Sequence, residues 1–194
     1  HKTKVLSHAL PVFILIASVE GVHPSLTIDR TNVVSVSVTS ERSIKYLQNN
    51  LLSEFTLPEN RHWILSVFPI PYKIEADNFR KDSIHTAYFN YKRWFFTNEH
   101  KGYIKLKIEN LNDNRITIRF IEDSSYLSTY LSFEKSDFIF TNNPNGTTNV
   151  KLDITFERKL DPFWYFEPLE RYAMTQAANY IVNNMILKNE TEQG

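Results

Sequence analysis

The strongest signal along the chain is an apolar residue at every second position. Val34, Val36 and Val38 alternate with Ser35, Ser37 and Thr39, which is the spacing of a strand with one apolar face. The alternation returns in Ile104, Leu106 and Ile108 against Lys105, Lys107 and Glu109, then in Ile116, Ile118 and Phe120. It returns again in Val150, Leu152, Ile154 and Phe156 against Lys151, Asp153, Thr155 and Glu157. Polar partners at every other position predict a sheet with one face in water. Leu131 and Phe133 open a further strand whose apolar phase moves to Phe138 and Phe140. A one-residue change of phase predicts a bulge, here near Lys135 to Asp137. Ser83 to Phe96 reads as a long aromatic strand, and Gly102 as a turn after it. Asn112-Asp113-Asn114 and Asn142-Asn143-Pro144-Asn145-Gly146 supply turn residues between the later strands.

Elsewhere the period lengthens. Ser40 is the expected N-cap of a helix over Ser43 to Leu52, patterned by Ile44, Leu47 and Leu51. His62 to Val67 is a second short helix, ended by Pro69 and Pro71. Asp161-Pro162 reads as the N-cap and first residue of a long last helix, with Pro168 either its true start or a kink. Leu169, Tyr172, Ala173, Gln176, Ala177, Tyr180, Ile181 and Ile186 mark its apolar face at helical spacing. The expected order is therefore strand, two short helices, five antiparallel strands and a long helix. Strands joined by short turns pair as a meander, and the last helix is what covers its apolar face. The fold class is α+β, a curved antiparallel sheet wrapped on a long C-terminal helix.

Composition narrows the function. With 194 residues and 42% hydrophobic positions, the chain is long and apolar enough for one packed domain. Lys plus Arg equals Asp plus Glu at 22 each, which argues against a general nucleic-acid binder. Cysteine is absent, so disulfides, thiolate metal sites and cysteine nucleophiles are excluded. Four glycines form no phosphate-cradling loop. No cofactor is called for. Val5 to Val19 is an apolar run of about 15 residues, short of the roughly 20 that span a bilayer. Residues 1–30 are therefore assigned as an N-terminal segment, packed on the domain or membrane-proximal, and a membrane is a possible partner through it. Residues 31–194 are expected to form the remaining domain, to which a family resemblance in the order of elements assigns ligand binding.

The order of elements resembles the START-like superfamily, the polyketide cyclase and lipid-transport group. Val33 to Leu47 is similar to its first strand and following helix. Phe68-Pro69-Ile70-Pro71 through Asn145-Gly146-Thr147-Thr148 is similar to its sheet. Leu160-Asp161-Pro162-Phe163-Trp164-Tyr165-Phe166-Glu167-Pro168 resembles its passage into the last helix. Leu10-Pro11 and Val19-Glu20-Gly21 resemble the join of a subgroup in which such a domain follows membrane helices, which implies the cytoplasm or the cytoplasmic face of a membrane. One departure stands out: Asn78 to Asp82 replaces the glycine-rich turns common near the second strand. The resemblance implies a helix-grip fold and a pocket between sheet and helix for a lipid, polyketide or other apolar molecule. Some members are cyclases or dehydratases.

The residues themselves offer no catalytic set. The six histidines include no helical zinc pair, and no serine lies in a nucleophile elbow. His85, Tyr88 and Asp137 are the candidates for an enzyme of the cyclase or dehydratase kind, with Glu134 beside the expected bulge. The blander reading makes the histidine a packed strand residue and the carboxylates a solvated edge. The aromatic excess, 14 Phe, 10 Tyr and 3 Trp, either fills the core or lines a cavity. The expected function is binding of a lipid or other apolar small molecule, with no nucleic acid involved. Its lining would be Tyr88, Leu106, Phe120 and Ile154 from the sheet and Ala173, Gln176, Ala177 and Tyr180 from the helix. The alternatives are a filled interaction or membrane-proximal module and a cyclase-type enzyme.

Overall fold

The structure, a computed structural model, describes residues 29–52, 71–76, 83–93, 96–161 and 163–187. The segment Val5 to Val19, the helix expected at His62 to Val67 and the departure at Asn78 to Asp82 fall outside them. One antiparallel sheet of seven strands carries the fold. Its strands are β1 (Thr31–Ser40), β2 (Pro71–Ala76), β3 (Ile84–Arg93), β4 (Phe96–Asn112), β5 (Arg115–Asp123), β6 (Leu131–Asn142) and β7 (Thr148–Arg158). Their order is β1-β7-β6-β5-β4-β3-β2, so β2 to β7 form a meander of six strands, one more than the five expected, and β1 closes beside β7. Helix α1 (Ile44–Leu52) follows β1, and α2 (Phe163–Ile181) follows β7, continuing as a π-helical turn over Val182–Ile186.

The strands obey the period-two reading. Val34 faces Ile154, Val36 faces Leu152 and Val38 faces Val150 across β1 and β7. Phe138 and Phe140 face Leu152 and Val150 across β6 and β7. These side chains share the inner face, and all but the partly buried Val38 are buried. Leu47 and Leu51 of α1 join them, as do Met174 and Ala178 of α2 and Val182 and Ile186 beyond it. Each fully buried Leu, Ile or Phe contributes roughly 1.5–3 kcal/mol relative to exposure, so this cluster is the main source of stability. Lys105, Lys107, Arg119, Lys151 and Asp153 lie on the opposite, wetter face.

Several local expectations shift. Pro71 opens β2, the sheet-edge strand, where a missing N–H costs no ladder bond. Gly102 makes no turn; it is buried within β4 opposite Phe89, and the hairpin reverses between Arg93 and Phe96. The bulge in β6 falls between Phe133 and Lys135, slightly earlier than the phase change suggests. Ser40 ends β1 opposite Thr148 and does not cap α1. Ser43 does so, its hydroxyl accepting the Tyr46 N–H at 3.4 Å and its carbonyl the Leu47 N–H at 3.1 Å. Gly146 has φ +83°, the left-handed conformation that its turn requires.

Helix α2 starts at Phe163 and holds Pro168 within its length. Its buried face is Glu170, Ala173, Met174 and Ala178, carried on by Val182. Leu169 and Tyr172, expected inside, are 43% and 44% exposed. The buried stripe is thus turned by about one residue, or roughly 100°, from the aromatic-rich stripe. The carboxylate at Glu170 disguised the aliphatic stripe in the sequence.

Candidate functional site

The inner face of the sheet has two regions. Over β1, β7 and β6 it is closed by α2 and α1 into the aliphatic cluster around Leu152 and Phe156. Over β3, β4 and β5 it continues through Ala87, Ile104 and Leu106, with His85 only 6% exposed among them. Cross-strand pairing puts His85 opposite Leu106, Ala87 opposite Ile104 and Leu106 opposite Phe120. The Phe120 ring lies 5.2 Å from that of Phe133. Among the described residues, the aliphatic cluster reaches Ile108 and Ile116 but stops short of Ala87, Ile104 and Leu106. Buried apolar surface therefore extends beyond the part of the sheet on which α2 packs.

The expected lining residues divide accordingly. Leu106 and Phe120 are cross-strand neighbours on the inner face, and Ile154 faces inward within the closed cluster. Ala173 is buried, while Gln176, Ala177 and Tyr180 are half-buried on the flank of α2. Tyr88 is placed apart from them. It pairs with Tyr103 on the outer face, its ring 6.4 Å from that partner and its side chain 57% exposed. The aromatic run of β3 lacks a clean alternation, so its facing could not be read until β4 fixed the register.

The candidate catalytic residues are also divided. His85 faces in, whereas Tyr88 and Asp137 face out and Glu134 is exposed at the bulge. Asp137 is not a solvated edge residue; it is buried and fully engaged. Its carboxylate accepts hydrogen bonds from Thr117 at 2.7 Å and from Arg115 at 2.8 and 3.1 Å, with Lys135 at 3.2 Å. Burial pushes its pKa up, but the bonds from Thr117, Arg115 and Lys135 outweigh that and hold it below the usual value. This is a structural clamp joining β5 to β6. On the same face Glu122 accepts hydrogen bonds from Lys105 at 2.6 Å and from the Tyr103 hydroxyl. Those bonds hold the Glu122 carboxyl below its ordinary value.

Inside, the polar groups are few. Ser136 lies opposite Ile154, Asn32 opposite Phe156, and Arg158 ends the inward row of β7. Glu170 of α2 is 2% exposed, and neither carboxylate oxygen has a hydrogen-bond partner among the described residues. Burial pushes its pKa up to about 7, against the pull of Arg158 and Arg30 and with added push from Asp161 and Glu167. Sequence reasoning passed over Glu170 and Arg158. The signals were there: Glu170 precedes Met174, Ala178 and Val182 at steps of four, and Arg158 follows Phe156 at a step of two. Among the described residues no group of three or more His, Asp or Glu could hold a metal ion. None of their helices is long and apolar enough to cross a membrane.

Neither a protein-family model nor a curated protein sequence matches the chain. Solved structures do. The di-domain aromatase/cyclase StfQ of the steffimycin biosynthetic pathway aligns at a TM-score of 0.52 and 11% identity, over 86% of this chain and 53% of its own. TTHA0849 from Thermus thermophilus aligns at 0.51 and 10% identity, over 84% of this chain and 100% of its own. A START superfamily protein from Mycobacterium smegmatis aligns at 0.48 and 11% identity, over 79% and 96%. At these identities the likeness is one of fold: with StfQ and TTHA0849 the chain shares a helix-grip arrangement, an antiparallel sheet with a long C-terminal helix.

Proposed function

We propose that the protein binds an apolar small molecule, of lipid or polycyclic kind, between the inner face of β3 to β5 and α2. The observation that carries this reading is the buried row of Ala87, Ile104 and Leu106, which lies beyond the aliphatic cluster on which α2 closes. A mostly apolar surface with a few inward polar groups is the usual chemistry of a small-molecule site. Here such a group is His85, buried opposite Leu106. The fold is compatible with ligand chemistry, since StfQ is an aromatase/cyclase, but fold alone does not assign function. Binding is preferred to catalysis because His85, Tyr88 and Asp137 do not share one face of the sheet.

The test is titration with 1-anilinonaphthalene-8-sulfonate. The native protein should bind the probe saturably, and Leu106→Trp should abolish binding while circular dichroism shows the fold retained. Absence of binding by the native protein, or unchanged binding by the variant, would overturn the reading and favour a filled interaction module.

A further inference from the structure

We propose that the outer edge of β1 is an interaction surface, pairing antiparallel with β1 of a second copy of the chain about a two-fold axis. The sheet ends at β1 on one side and at β2 on the other. The two edges differ. β2 carries Pro71, Lys73 and Glu75, and its register with β3 shifts between Pro71 and Lys73. Proline, charge and irregularity are the usual means of keeping an edge from pairing with another chain. β1 has none of them. Its 10 residues, Thr31 to Ser40, include no charge, proline or glycine, and they pair with β7 in one unbroken register.

The backbone on this edge is set for pairing. The Arg158 N–H donates to the Arg30 carbonyl at 3.0 Å, so the even-numbered residues of β1 turn their peptide groups to β7 and the odd-numbered ones turn theirs outward. The outward N–H of Thr31 is taken by the Asp29 carboxylate at 2.9 Å. Those of Val33, Ser35, Ser37 and Thr39 meet no acceptor among the described residues. The strand also matches its own reverse. With two copies centred on Val36, that residue faces Val36 of the second copy, Val34 faces Val38 and Ser35 faces Ser37. Inward side chains then meet inward ones, and outward ones meet outward ones. Cross-strand β-branched pairs of this kind stabilise a sheet. Each flank of the strand, Asp29-Arg30 and Glu41-Arg42, holds one acid and one base. An identical antiparallel strand therefore meets no net like charge, which makes a second copy the fitting partner.

Two measurements on the purified full chain test this. In sedimentation velocity the native chain should dimerise on concentration. In hydrogen exchange the amides of Ser35 and Ser37 should gain protection with concentration, while those of Val34 and Val36, already turned to β7, stay protected throughout. Ser37→Pro removes an outward N–H without breaking the ladder with β7 and should weaken dimerisation at least about tenfold, whereas Ser37→Ala should stay within about twofold of native. Val33→Lys, at a side chain 49% exposed, should also weaken it and covers the case in which the proline variant fails to fold. A native chain that stays monomeric up to its solubility limit would overturn the proposal. So would dimers of undiminished strength in the lysine variant or in a folded proline variant. Protection of Ser35 and Ser37 that persists at every dilution would overturn it too, and would assign the edge to a strand of the same chain.

Discussion

Replacing Glu170 with glutamine should remove a pH-dependent weakness from the fold. The side chain keeps its shape and loses its charge. Burial raises the glutamic acid from the ordinary 4.5 to about 7 in the folded protein, a difference of about 3 kcal/mol between its protonation states. The folded protein therefore holds the proton more tightly than the unfolded chain does. The stability this confers is full below pH 4.5 and is lost as pH rises from there through about 7. Glu170→Gln has no proton to lose. Its stability relative to native protein should improve between pH 5 and pH 8, by at most about 3 kcal/mol. The groups facing Glu170 are Arg158 at the end of β7, Arg30 before β1, Asp161 after β7 and Glu167 on α2. All are present in both proteins, so their direct contributions largely cancel in the comparison. Urea denaturation of both proteins at the two pH values gives the numbers. If the stability difference between variant and native is the same at pH 5 and pH 8, the argument for a proton-holding buried carboxyl is refuted.

Other outcomes follow from the packing. Asp137→Ala should destabilise by about 1–2 kcal/mol at neutral pH in chemical denaturation, since it removes the hydrogen bonds from Thr117 and Arg115 while the half-exposed Arg115 and Lys135 remain solvated. Because Asp137 is held below the usual value, its contribution is present above the ordinary 3.8 and lost on acidification, so native and variant should converge at low pH. Ala178→Leu places added methyl groups in a fully buried site of the aliphatic cluster and should lower stability by about 1–3 kcal/mol in thermal melts. Gly146→Ala has open space around the new methyl group, so any loss, about 1 kcal/mol, comes only from the backbone at φ +83°.

Much of the fold was legible because a half-buried strand writes its facing into every second residue. Val34, Leu106 and Leu152 were assignable to the inner face without coordinates, and the structure buries all three. Legibility failed where another constraint overrode the pattern. Gly102 resembles a turn but sits in the middle of β4, because that strand is 17 residues long and runs on past it. Pro71 resembles a helix stop but opens an edge strand, where proline is tolerated. The face of α2 was misread because two stripes compete, one aromatic through Leu169 and Tyr172, one aliphatic through Met174 and Ala178. Glu170 breaks the aliphatic stripe on paper, although its burial there is what draws attention to it in the fold. Of the expected lining residues, Leu106 and Phe120 could be placed on the inner face from alternation. Tyr88 could not, because its facing depends on the register with Tyr103, a long-range fact.

The most direct test of the central claim is a nuclear magnetic resonance titration of methyl-labelled protein with 2-naphthol. The account predicts saturable one-to-one binding in which the methyl signals of Ala87, Ile104, Leu106 and Ala173 move. Those of Ile84 and Ile121, both exposed, should stay in place. Shifts confined to Ile84 and Ile121, or no saturable shift at any of these methyls, would contradict it.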